Sequence, residues 1–427
     1  MSRIALLLVA LVVTIPALAC EEEKEEAAVV TPSPAITVTA TSPATPSGEA
    51  TPTPEATPTP TSIPSGRIAF VSESDGNSEI YVMNADGTGL VNVSNHPEFD
   101  FDPTWSPDGT KIAFLSRRDG AGEIYVVNAD GTGLANLTRD PAFDRTPAWS
   151  PQGTKIAFSS SRDGNEDIYV MNADGSGQTR LTTDVDTDDD PDWSPDGSQI
   201  AFACLPGGSD NHEICVVNAD GTGLINLTNR SAYDFDPAWS PDGSRVAFIS
   251  MGGGGEGQNI WAVNPDGTGL IRITDEATAH GEDEWEWSPD GSQIAFLSQR
   301  DGNNEIYVMN ADGSGQTNLT NNPDFDAEPH WSPEGSQIAF WFGMHSETVP
   351  GTTYEIYMMN ADGTGRANLT GNSAWDGEPA WSPDGSQIAF VSKRDGNYDI
   401  YLMNADGSGQ TNLTNDGAVD QSPRWAP

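Results

Sequence analysis

The sequence predicts an all-β fold made of repeated four-stranded units, and three observations support it. The pattern P-x-W-S-P-D-G-x-x-I-A-F, as in Pro379–Phe390, recurs eight times at spacings of 44 to 50 residues, a period typical of propellers and arrays. Asp-Gly and Asn-Gly pairs separate short apolar runs, which is the sequence signal for β-hairpins. Helical periodicity is absent. We therefore expect a β-propeller of eight four-stranded antiparallel blades. The tryptophans of the eight copies are Trp105, Trp149, Trp193, Trp239, Trp287, Trp331, Trp381 and Trp425.

Residues 1–19 are predicted to be an export signal. Arg3 precedes an apolar run from Ile4 to Ile15, and that run is too short to remain as a membrane span. Ala17-Leu18-Ala19 fits a cleavage site that would release the chain. Cys20, directly after it, resembles the lipobox cysteine of bacterial lipoproteins, which is lipid-modified. Release and lipid anchoring to the cell envelope are both open, and lipid anchoring is favoured.

Residues 20–65 are predicted to be a lipid-attached, disordered stalk. Residues 31–65 are rich in Thr, Pro and Ser, as in Thr51-Pro52-Thr53-Pro54. Such a composition cannot bury a core and favours extended polyproline conformations. The stalk is expected to hold the following domain away from a membrane or wall. The propeller itself is expected over residues 66–427.

Each repeat is interpreted as four strands, A to D, in chain order. Their apolar character is nearly continuous, which suits blades that are covered on both faces. Residues 68–94 supply strands B to D without a preceding strand A, and the chain finishes on Pro423-Arg424-Trp425, a lone strand A. Pairing of the last strand with the first three is expected to close the ring and leave no open sheet edge. In the unit around Trp149 the predicted strands are Thr146–Ser150, Lys155–Ser159, Asp167–Asn172 and Gln178–Thr182.

The repeat P-x-W-S-P-D-G-x-x-I-A-F followed by E-I-Y-V-M-N-A-D-G-x-G resembles the TolB-like β-propeller repeat, a WD-repeat-like unit, over about 360 of 427 residues. The resemblance implies a propeller of four-stranded blades that is periplasmic or exposed at the cell surface. It also implies that the propeller binds protein partners.

Length differences among the copies indicate one variable face. Only the B–C and D–A connections vary in length, and in an antiparallel blade both emerge on the same face. Repeat proteins commonly place insertions on the binding face. The connections grow at Leu205–His212, Met251–Asn259, Asp275–Glu284 and, most of all, Trp341–Tyr354. The aromatic character of the largest insertion suits either an interface anchor or a small satellite core. Its candidate residues are Trp341, Phe342, Met344, His345 and Tyr354.

Two sets of carboxylates precede the tryptophans. Because strand A is innermost in a propeller, both sets are expected to crowd the mouth of the central channel. They would bind a cation, for which calcium best suits hard oxygen ligands, bind a basic peptide or partner tail, or cap their own loops through backbone N–H groups. The first acidic set, five residues before each tryptophan, is Asp100, Asp144, Asp188, Asp234, Glu282, Asp326, Asp376 and Asp420. The second acidic set, two residues later, is Asp102, Asp190, Asp236, Glu284, Glu328 and Glu378, with Thr146 and Ser422 in the other two copies.

Two further signals are local. Cys204 and Cys215 fall on adjacent strands B and C of one unit. A disulfide between them suits an exported protein, but it depends on a strand register that the sequence does not fix. Asp163–Asp167 and Asp395–Asp399 space oxygens like fragments of a calcium loop, and hairpin turn chemistry explains that spacing as well.

Composition and motifs argue against nucleic-acid binding and against catalysis. The chain carries 64 acidic and 19 basic residues, a net charge of −45, which repels phosphate backbones and anionic lipid headgroups. The five histidines show no H-x-x-H spacing, and no G-x-S-x-G motif is present, so neither a histidine metal centre nor a serine nucleophile is indicated. No catalytic residue is predicted, no cofactor other than calcium, and a monomer is expected.

The leading hypothesis is a non-catalytic, envelope-anchored propeller. It would bind a protein or peptide, of basic character, through the variable face and the acidic channel mouth. The alternative is a sensor or capture lipoprotein that binds a small ligand, a carbohydrate or calcium. A metal-dependent enzyme centred on the channel is the third hypothesis.

Overall fold

The computed structural model of the chain contains eight four-stranded antiparallel sheets. The structure describes residues 66–427 except 184–185, 208–210, 253–257, 275–284 and 345–352. The predicted export signal, Cys20 and the stalk therefore lie outside the described residues. Within the described part of the chain, no helix has the length and apolar character needed to cross a membrane.

Each sheet is one blade, and its strands are named A to D from the centre outward. Blade 1 combines β32, β1, β2 and β3, and blades 2 to 8 take β4 to β31 in consecutive fours. In chain order the strands are β1 (Arg67–Ser72), β2 (Glu79–Asn84), β3 (Val91–Asn92), β4 (Asp100–Trp105), β5 (Lys111–Ser116), β6 (Glu123–Asn128), β7 (Ala135–Asn136), β8 (Asp144–Trp149), β9 (Lys155–Ser160), β10 (Asp167–Asn172), β11 (Thr179–Arg180), β12 (Asp188–Trp193), β13 (Gln199–Cys204), β14 (Glu213–Asn218), β15 (Ile225–Asn226), β16 (Tyr233–Trp239), β17 (Val246–Met251), β18 (Gln258–Val263), β19 (Ile271–Arg272), β20 (Trp285–Trp287), β21 (Gln293–Ser298), β22 (Glu305–Asn310), β23 (Thr317–Asn318), β24 (Phe325–Trp331), β25 (Gln337–Met344), β26 (Thr353–Asn360), β27 (Ala367–Asn368), β28 (Asp376–Trp381), β29 (Gln387–Ser392), β30 (Asp399–Asn404), β31 (Thr411–Asn412) and β32 (Asp420–Trp425).

Ring closure by the last strand is confirmed. β32 pairs antiparallel with β1, with Ile68 opposite Trp425 and Ser72 opposite Asp420. The Ala426 N–H continues the ladder by donating to the Arg67 carbonyl at 2.8 Å. Blade 1 thus takes strand A from the end of the chain and its other three strands from the start of the propeller, as the sequence predicts.

Strand D is shorter than predicted. In blade 3 only Thr179 and Arg180 pair with strand C, whereas the sequence suggested Gln178–Thr182. The Thr182 hydroxyl, at 3.0 Å, accepts the hydrogen bond from the Ile168 N–H, so a side chain replaces the next backbone partner. Strand A of this blade instead begins two residues earlier than predicted, at Asp144.

The core lies between the blades. Eight apolar clusters fill the eight junctions between neighbouring blades, including the junction of blade 8 with blade 1. Both faces of each sheet are therefore buried, which explains the nearly continuous apolar runs. Burying a phenylalanine side chain contributes about 1.5–3 kcal/mol. One phenylalanine per blade is at most 1% exposed, at Phe70, Phe114, Phe158, Phe202, Phe248, Phe296, Phe340 and Phe390.

The repeated tryptophan ties neighbouring blades together. Its indole N–H donates to the backbone carbonyl of the residue that precedes the matching tryptophan of the previous blade, as in Trp149 to Thr104 at 3.2 Å. Trp105 donates to the Arg424 carbonyl at 3.1 Å, so the same bond also spans the closing junction. The other bonds of this kind join Trp193 to Ala148, Trp331 to Glu286, Trp381 to His330 and Trp425 to Ala380.

The S-P-D-G part of the repeat builds the A–B turn. The Ser106 hydroxyl donates to Asp108 Oδ1 at 2.6 Å and accepts the Lys111 N–H at 2.9 Å. Gly109 has φ of 64°, a conformation that glycine adopts without a steric penalty. The motif therefore closes a turn, and the serine has a structural role there.

Cys204 and Cys215 form a disulfide with a Cα–Cα distance of 5.8 Å. Cys204 lies opposite Glu213 and Cys215 opposite Phe202, so the bridge runs diagonally across β13 and β14. The register that the sequence left open therefore brings the two cysteines together.

Replacing Cys204 and Cys215 together by alanine is expected to lower the free energy of unfolding by about 2–4 kcal/mol, because the cross-link no longer restricts the unfolded chain. Urea denaturation followed by tryptophan fluorescence measures the change. Wild-type protein treated with a reductant provides the control and should show the same loss. A double variant as stable as the oxidised wild type would contradict the prediction.

Candidate binding face around the channel mouth

The B–C and D–A connections lie on one face of the ring, here called the loop face. In blade 1, Asn77 of the B–C connection donates to the carbonyls of His96 and Glu98 in the D–A connection, at 2.9 and 3.1 Å. On the opposite face the C–D turn meets the A–B turn, where the Ala129 N–H donates to the Thr110 carbonyl at 2.9 Å. The described parts of the lengthened connections therefore share the loop face.

The second acidic set lies at a β-bulge in strand A. In blade 2 the register shifts between Phe101 and Thr104, and Asp102 sits within the bulge with φ of 54°. A left-handed conformation is uncommon outside glycine, and bulges re-aim side chains next to functional sites. Proline follows at all seven described positions and needs no ladder partner there. The seven residues, with φ between 49° and 56°, are Asp102, Thr146, Asp190, Asp236, Glu328, Glu378 and Ser422.

These bulge side chains reach solvent. Asp102 is exposed and the other six are half-buried. Glu284, the remaining member of the set, lies outside the described residues. Consecutive A strands contact one another around much of the ring, which makes strand A the innermost strand. The described members of the second acidic set therefore lie on the innermost strands, at their loop-face end.

An arginine side chain lies among these carboxylates. Arg424 of β32 lies between blades 2 and 8, where Asp102 and Glu378 both interact with it. Burial lowers the pKa of Arg424, and these two negative charges act in the opposite direction. Glu378 also accepts the Ser422 N–H at 2.6 Å. Arg424 was not among the site residues predicted from the sequence, and its charge partly neutralises one side of the channel.

Carboxylates directly before the tryptophan also line the inner strands. Asp192 accepts the Trp239 N–H at 2.9 Å, and Glu286 accepts the Trp331 N–H at 3.0 Å. His330 Nδ1 lies 3.6 Å from Glu286 Oε2. These contacts join neighbouring A strands, so part of the acidic lining stabilises the ring itself.

The first acidic set does not reach the channel mouth, contrary to the prediction. Its seven described members are at most 1% exposed and lie at the blade junctions below the loops. Five of them pair with arginine: Asp100 with Arg118 at 2.9 Å, Asp144 with Arg162 at 3.0 Å, Asp234 with Arg230 at 2.7 Å, Asp326 with Arg366 at 3.2 Å and Asp376 with Arg394 at 3.0 Å. Burial raises the pKa of Asp326 to about 7, and the charge of Arg366 opposes this shift.

The loops are capped by a carboxylate that the sequence analysis did not consider. Glu79, the first residue of β2, accepts the His96 N–H at 2.9 Å and the Ser94 hydroxyl at 2.5 Å. Glu305 accepts the Asn322 N–H at 2.9 Å in the same way. The backbone-capping role proposed for the first acidic set therefore belongs to the acidic residue that begins strand C.

Aromatic residues stand next to the buried aspartates on the loop face. Five of the eight positions immediately before the first acidic set are aromatic, and of these Phe99 is 51% and Tyr233 40% exposed. The Tyr233 and His212 rings lie 4.7 Å apart. The sequence contained this signal, an aromatic residue six positions before the tryptophan, but these residues were not among the predicted site residues. The five residues are Phe99, Phe143, Tyr233, Phe325 and Trp375.

The largest insertion lengthens a hairpin, since β25 and β26 pair from Gln337 as far as Met344. Phe342 is buried in the junction of blades 6 and 7, so it is a core residue and not an exposed anchor. The Trp341 ring packs between Phe325 and Tyr354, at 5.7 and 4.8 Å. Trp341 and Tyr354 are half-buried, and this supports the satellite-core interpretation. His345 and the Met344 side chain lie outside what the structure describes.

One group of carboxylates in the described part of the chain has the spacing of metal ligands. Oxygens of Asp399, Asp416 and Asp420 all lie within 4.8 Å of one another. Of these three, only Asp420 was a candidate from the first acidic set.

The fold and the loop face define a β-propeller of eight blades whose insertions and channel mouth share one side. The chain belongs to the TolB beta propeller domain family, whose model matches residues 49–144, 136–211, 191–286, 284–348 and 347–427. This confirms the family resemblance seen in the repeats. Comparison with curated proteins found no match.

Solved structures with the same fold include enzymes. Dipeptidyl peptidase 4 of Porphyromonas gingivalis aligns with a TM-score of 0.64 and 14% identity, over 82% of this chain and 58% of that one. An oligogalacturonate lyase in complex with manganese aligns with a TM-score of 0.52 and 17% identity, over 79% of this chain and 97% of that one. A puromycin-hydrolysing peptidase of Mycobacterium tuberculosis aligns with a TM-score of 0.50 and 15% identity, over 74% and 55%. At these identities the likeness shows the fold alone.

Proposed function

We propose that the propeller is a non-catalytic binding module that docks a protein or peptide of basic character on its loop face. The observation that carries the proposal is the ring of bulge carboxylates beside exposed aromatic residues. Asp102 is exposed and Phe99 and Tyr233 are the exposed aromatics of the D–A connections. Aromatic anchors supply much of the energy of protein interfaces, and acidic groups around them select a partner of opposite charge.

The charge of the whole chain supports the same kind of partner. A net charge of −45 creates a field that attracts basic surfaces and repels nucleic acids and anionic lipids. We propose that this module acts outside the cytoplasm, attached to the cell envelope through Cys20 after the export signal. The Cys204–Cys215 disulfide supports an oxidising compartment.

Cross-linking capture from intact cells tests the docking face. A variant with Phe99→Ser, Asp102→Asn and Tyr233→Ser is expected to recover the partner at least about tenfold less than the wild type, because a loss of 1.4 kcal/mol changes affinity tenfold and truncated anchors cost more than 1 kcal/mol each. The wild-type interaction should also weaken with salt.

The matched control carries Leu134→Ser and Leu224→Ser, which remove apolar side chains of similar exposure, 40% and 49%, beside the C–D turns on the opposite face. This control should recover the partner as well as the wild type. Equal recovery by the loop-face variant, with an unchanged unfolding temperature, would place docking elsewhere and overturn the proposal.

A further inference from the structure

The buried aspartates of the first acidic set are matched with arginines by a repeated arrangement. In blades 2, 3 and 8 the arginine stands two residues after the last residue of strand B, at Arg118, Arg162 and Arg394. The backbone there is held by a serine, as where the Arg118 N–H donates to the Ser116 hydroxyl at 3.3 Å. A buried carboxylate is costly unless it is paired, so each arginine compensates the aspartate of its own blade.

Blade 1 has the same backbone without the arginine. Ser74 occupies the position, and its N–H donates to the Ser72 hydroxyl at 3.2 Å. Ser72 pairs with Asp420 as Ser116 pairs with Asp100. The chain path is therefore conserved between the blades, and the cation that should face Asp420 is replaced by a hydroxymethyl group.

The loop before Asp420 also carries a carboxylate at a position where three other blades have a hydrogen-bond donor. In blades 7 and 8, Asn322 and Asn372 donate side-chain hydrogen bonds to Asp326 and Asp376, four residues later. In blade 5 the matching residue, Arg230, forms the ion pair with Asp234. At the closing junction this position is Asp416, which is exposed. A carboxylate therefore stands at the position where these blades have a side chain that donates a hydrogen bond to the buried aspartate.

The third carboxylate at this junction is Asp399, which begins strand C of blade 8. Asp399 is one methylene shorter than the glutamates that cap the loops of most other blades. It accepts hydrogen bonds from Asn397 Nδ2 at 2.8 Å and Asn412 Nδ2 at 2.9 Å, both neutral donors. Three carboxylates therefore meet at the one junction where β32 closes the ring.

Of the three carboxylates, Asp420 has the fewest hydrogen bonds and ion pairs to offset its burial. It is 1% exposed, and neither carboxylate oxygen has a hydrogen-bond partner among the described residues. The Ser72 and Thr414 hydroxyls lie close enough to lower its pKa, but burial outweighs them and raises the pKa to about 6. Asp416 and Asp399 add to this shift through their negative charge. The described residues supply no ion pair for this aspartate.

We propose that Asp399, Asp416 and Asp420 bind a calcium ion at the junction of blades 8 and 1. Calcium takes six to eight oxygen ligands at about 2.3–2.6 Å, so its ligand oxygens lie up to about 5 Å apart. The three carboxylate oxygens lie within 4.8 Å of one another. Asp416 reaches solvent and gives the ion access, and water and backbone oxygens complete such sites. This inference is independent of the proposed docking function.

The position of the site gives calcium a structural consequence. Asp420 belongs to blade 1 and Asp399 to blade 8, whereas Asp416 lies in the connection between them. Asp420 begins β32, the strand whose pairing with β1 closes the ring, so the ligand set spans the closing junction. Calcium therefore binds the closed ring in preference to the open one and stabilises it by mass action.

Calcium titration of the full chain, stripped of metal with a chelator, tests the site. Calorimetry should show one bound ion per chain, and calcium in hundredfold excess over its dissociation constant should raise the unfolding temperature by about 5 °C or more. Magnesium at the same concentration should have a much smaller effect, because it demands a tighter octahedral geometry. An equal response to magnesium would overturn the assignment to calcium.

Matched variants locate the effect. Asp416→Asn should weaken calcium binding at least about tenfold, since binding depends on the charge and number of carboxylate ligands. Asp140→Asn is the control at the same position of the junction between blades 2 and 3. Both aspartates accept a backbone N–H two residues later, Asp416 at 2.7 Å and Asp140 at 3.0 Å, but Arg162 already compensates Asp144 at that junction. The control should bind calcium like the wild type.

Ser74→Arg restores the arginine found in blades 2, 3 and 8. We expect it to raise the unfolding temperature of the metal-free protein and to abolish the calcium response. No calcium response in the wild type, or equal responses in the Asp416→Asn and Asp140→Asn variants, would overturn the proposal. If Ser74→Arg does not fold, the comparison of these two aspartate variants still decides it.

Discussion

Deleting residues 422–427 is expected to open the ring and to lower the unfolding temperature by at least about 10 °C. The deletion removes Trp425, whose loss alone corresponds to about 3–5 kcal/mol for a large aromatic side chain, and 1 kcal/mol shifts the unfolding temperature of a larger domain by about 2–4 °C. It also removes the Arg424 carbonyl that accepts the Trp105 indole N–H. Thermal unfolding followed by tryptophan fluorescence measures the effect.

The truncation should also expose the edge of β1, because β32 is its partner on that side. An unpaired strand edge templates association between chains, so light scattering should show oligomers that the intact protein lacks. The control is a synthetic peptide of residues 416–427 added in trans, which should restore part of the lost stability. A truncated chain that melts within about 2 °C of the intact protein would show that closure contributes little.

The sequence predicted the architecture because each copy of the repeat corresponds to one blade. The period gave the number of blades, and the lone Pro423-Arg424-Trp425 at the end gave the partner of the first three strands. The repeat also places Cys204 and Cys215 on adjacent strands, so their disulfide was a candidate. Only the register of β13 and β14 shows that the two cysteines meet.

The misplaced first acidic set has a specific physical cause. Asp100 and Asp102 were both expected at the channel mouth because strand A is innermost, and in a regular strand residues two apart share a face. The bulge at Asp102, with its left-handed φ, breaks that alternation. Asp100 is buried against Arg118, whereas Asp102 reaches solvent. A β-bulge leaves only a weak mark in sequence, here the proline that follows.

Four of the five arginine partners were missed because they are distant in the chain; Arg230, four residues before Asp234, is the exception. Arg118 lies 18 residues after Asp100, and Arg366 lies 40 residues after Asp326. Their pairing depends on how strand A meets the B–C connection or strand D, which no local pattern reveals. The largest insertion was also only partly predictable. The sequence shows its length, but not that it pairs as an extended hairpin and buries Phe342.

Replacing Arg394 by methionine is expected to lower the free energy of unfolding by about 3–5 kcal/mol, the usual cost of removing one partner of a buried ion pair. Asp376 is fully buried, and its Oδ1 lies 3.0 Å from Arg394 Nη2. The guanidinium also bonds the Ser392 hydroxyl at 2.7 Å and covers the Tyr401 ring at 4.5 Å. Methionine keeps much of the apolar contact, so the loss measures the missing charge. Chemical denaturation gives the value.

The neighbouring Lys393→Met variant makes the same change of charge at an exposed position and should cost less than about 1 kcal/mol. Adding Asp376→Asn to Arg394→Met should recover part of the stability, because the double variant no longer buries an unpaired carboxylate. The double-mutant cycle then gives the coupling between the two side chains. Equal losses for Arg394→Met and Lys393→Met would mean that the arginines are not what compensates the buried aspartates. In that case the missing arginine at Ser74 would no longer distinguish the closing junction from the others.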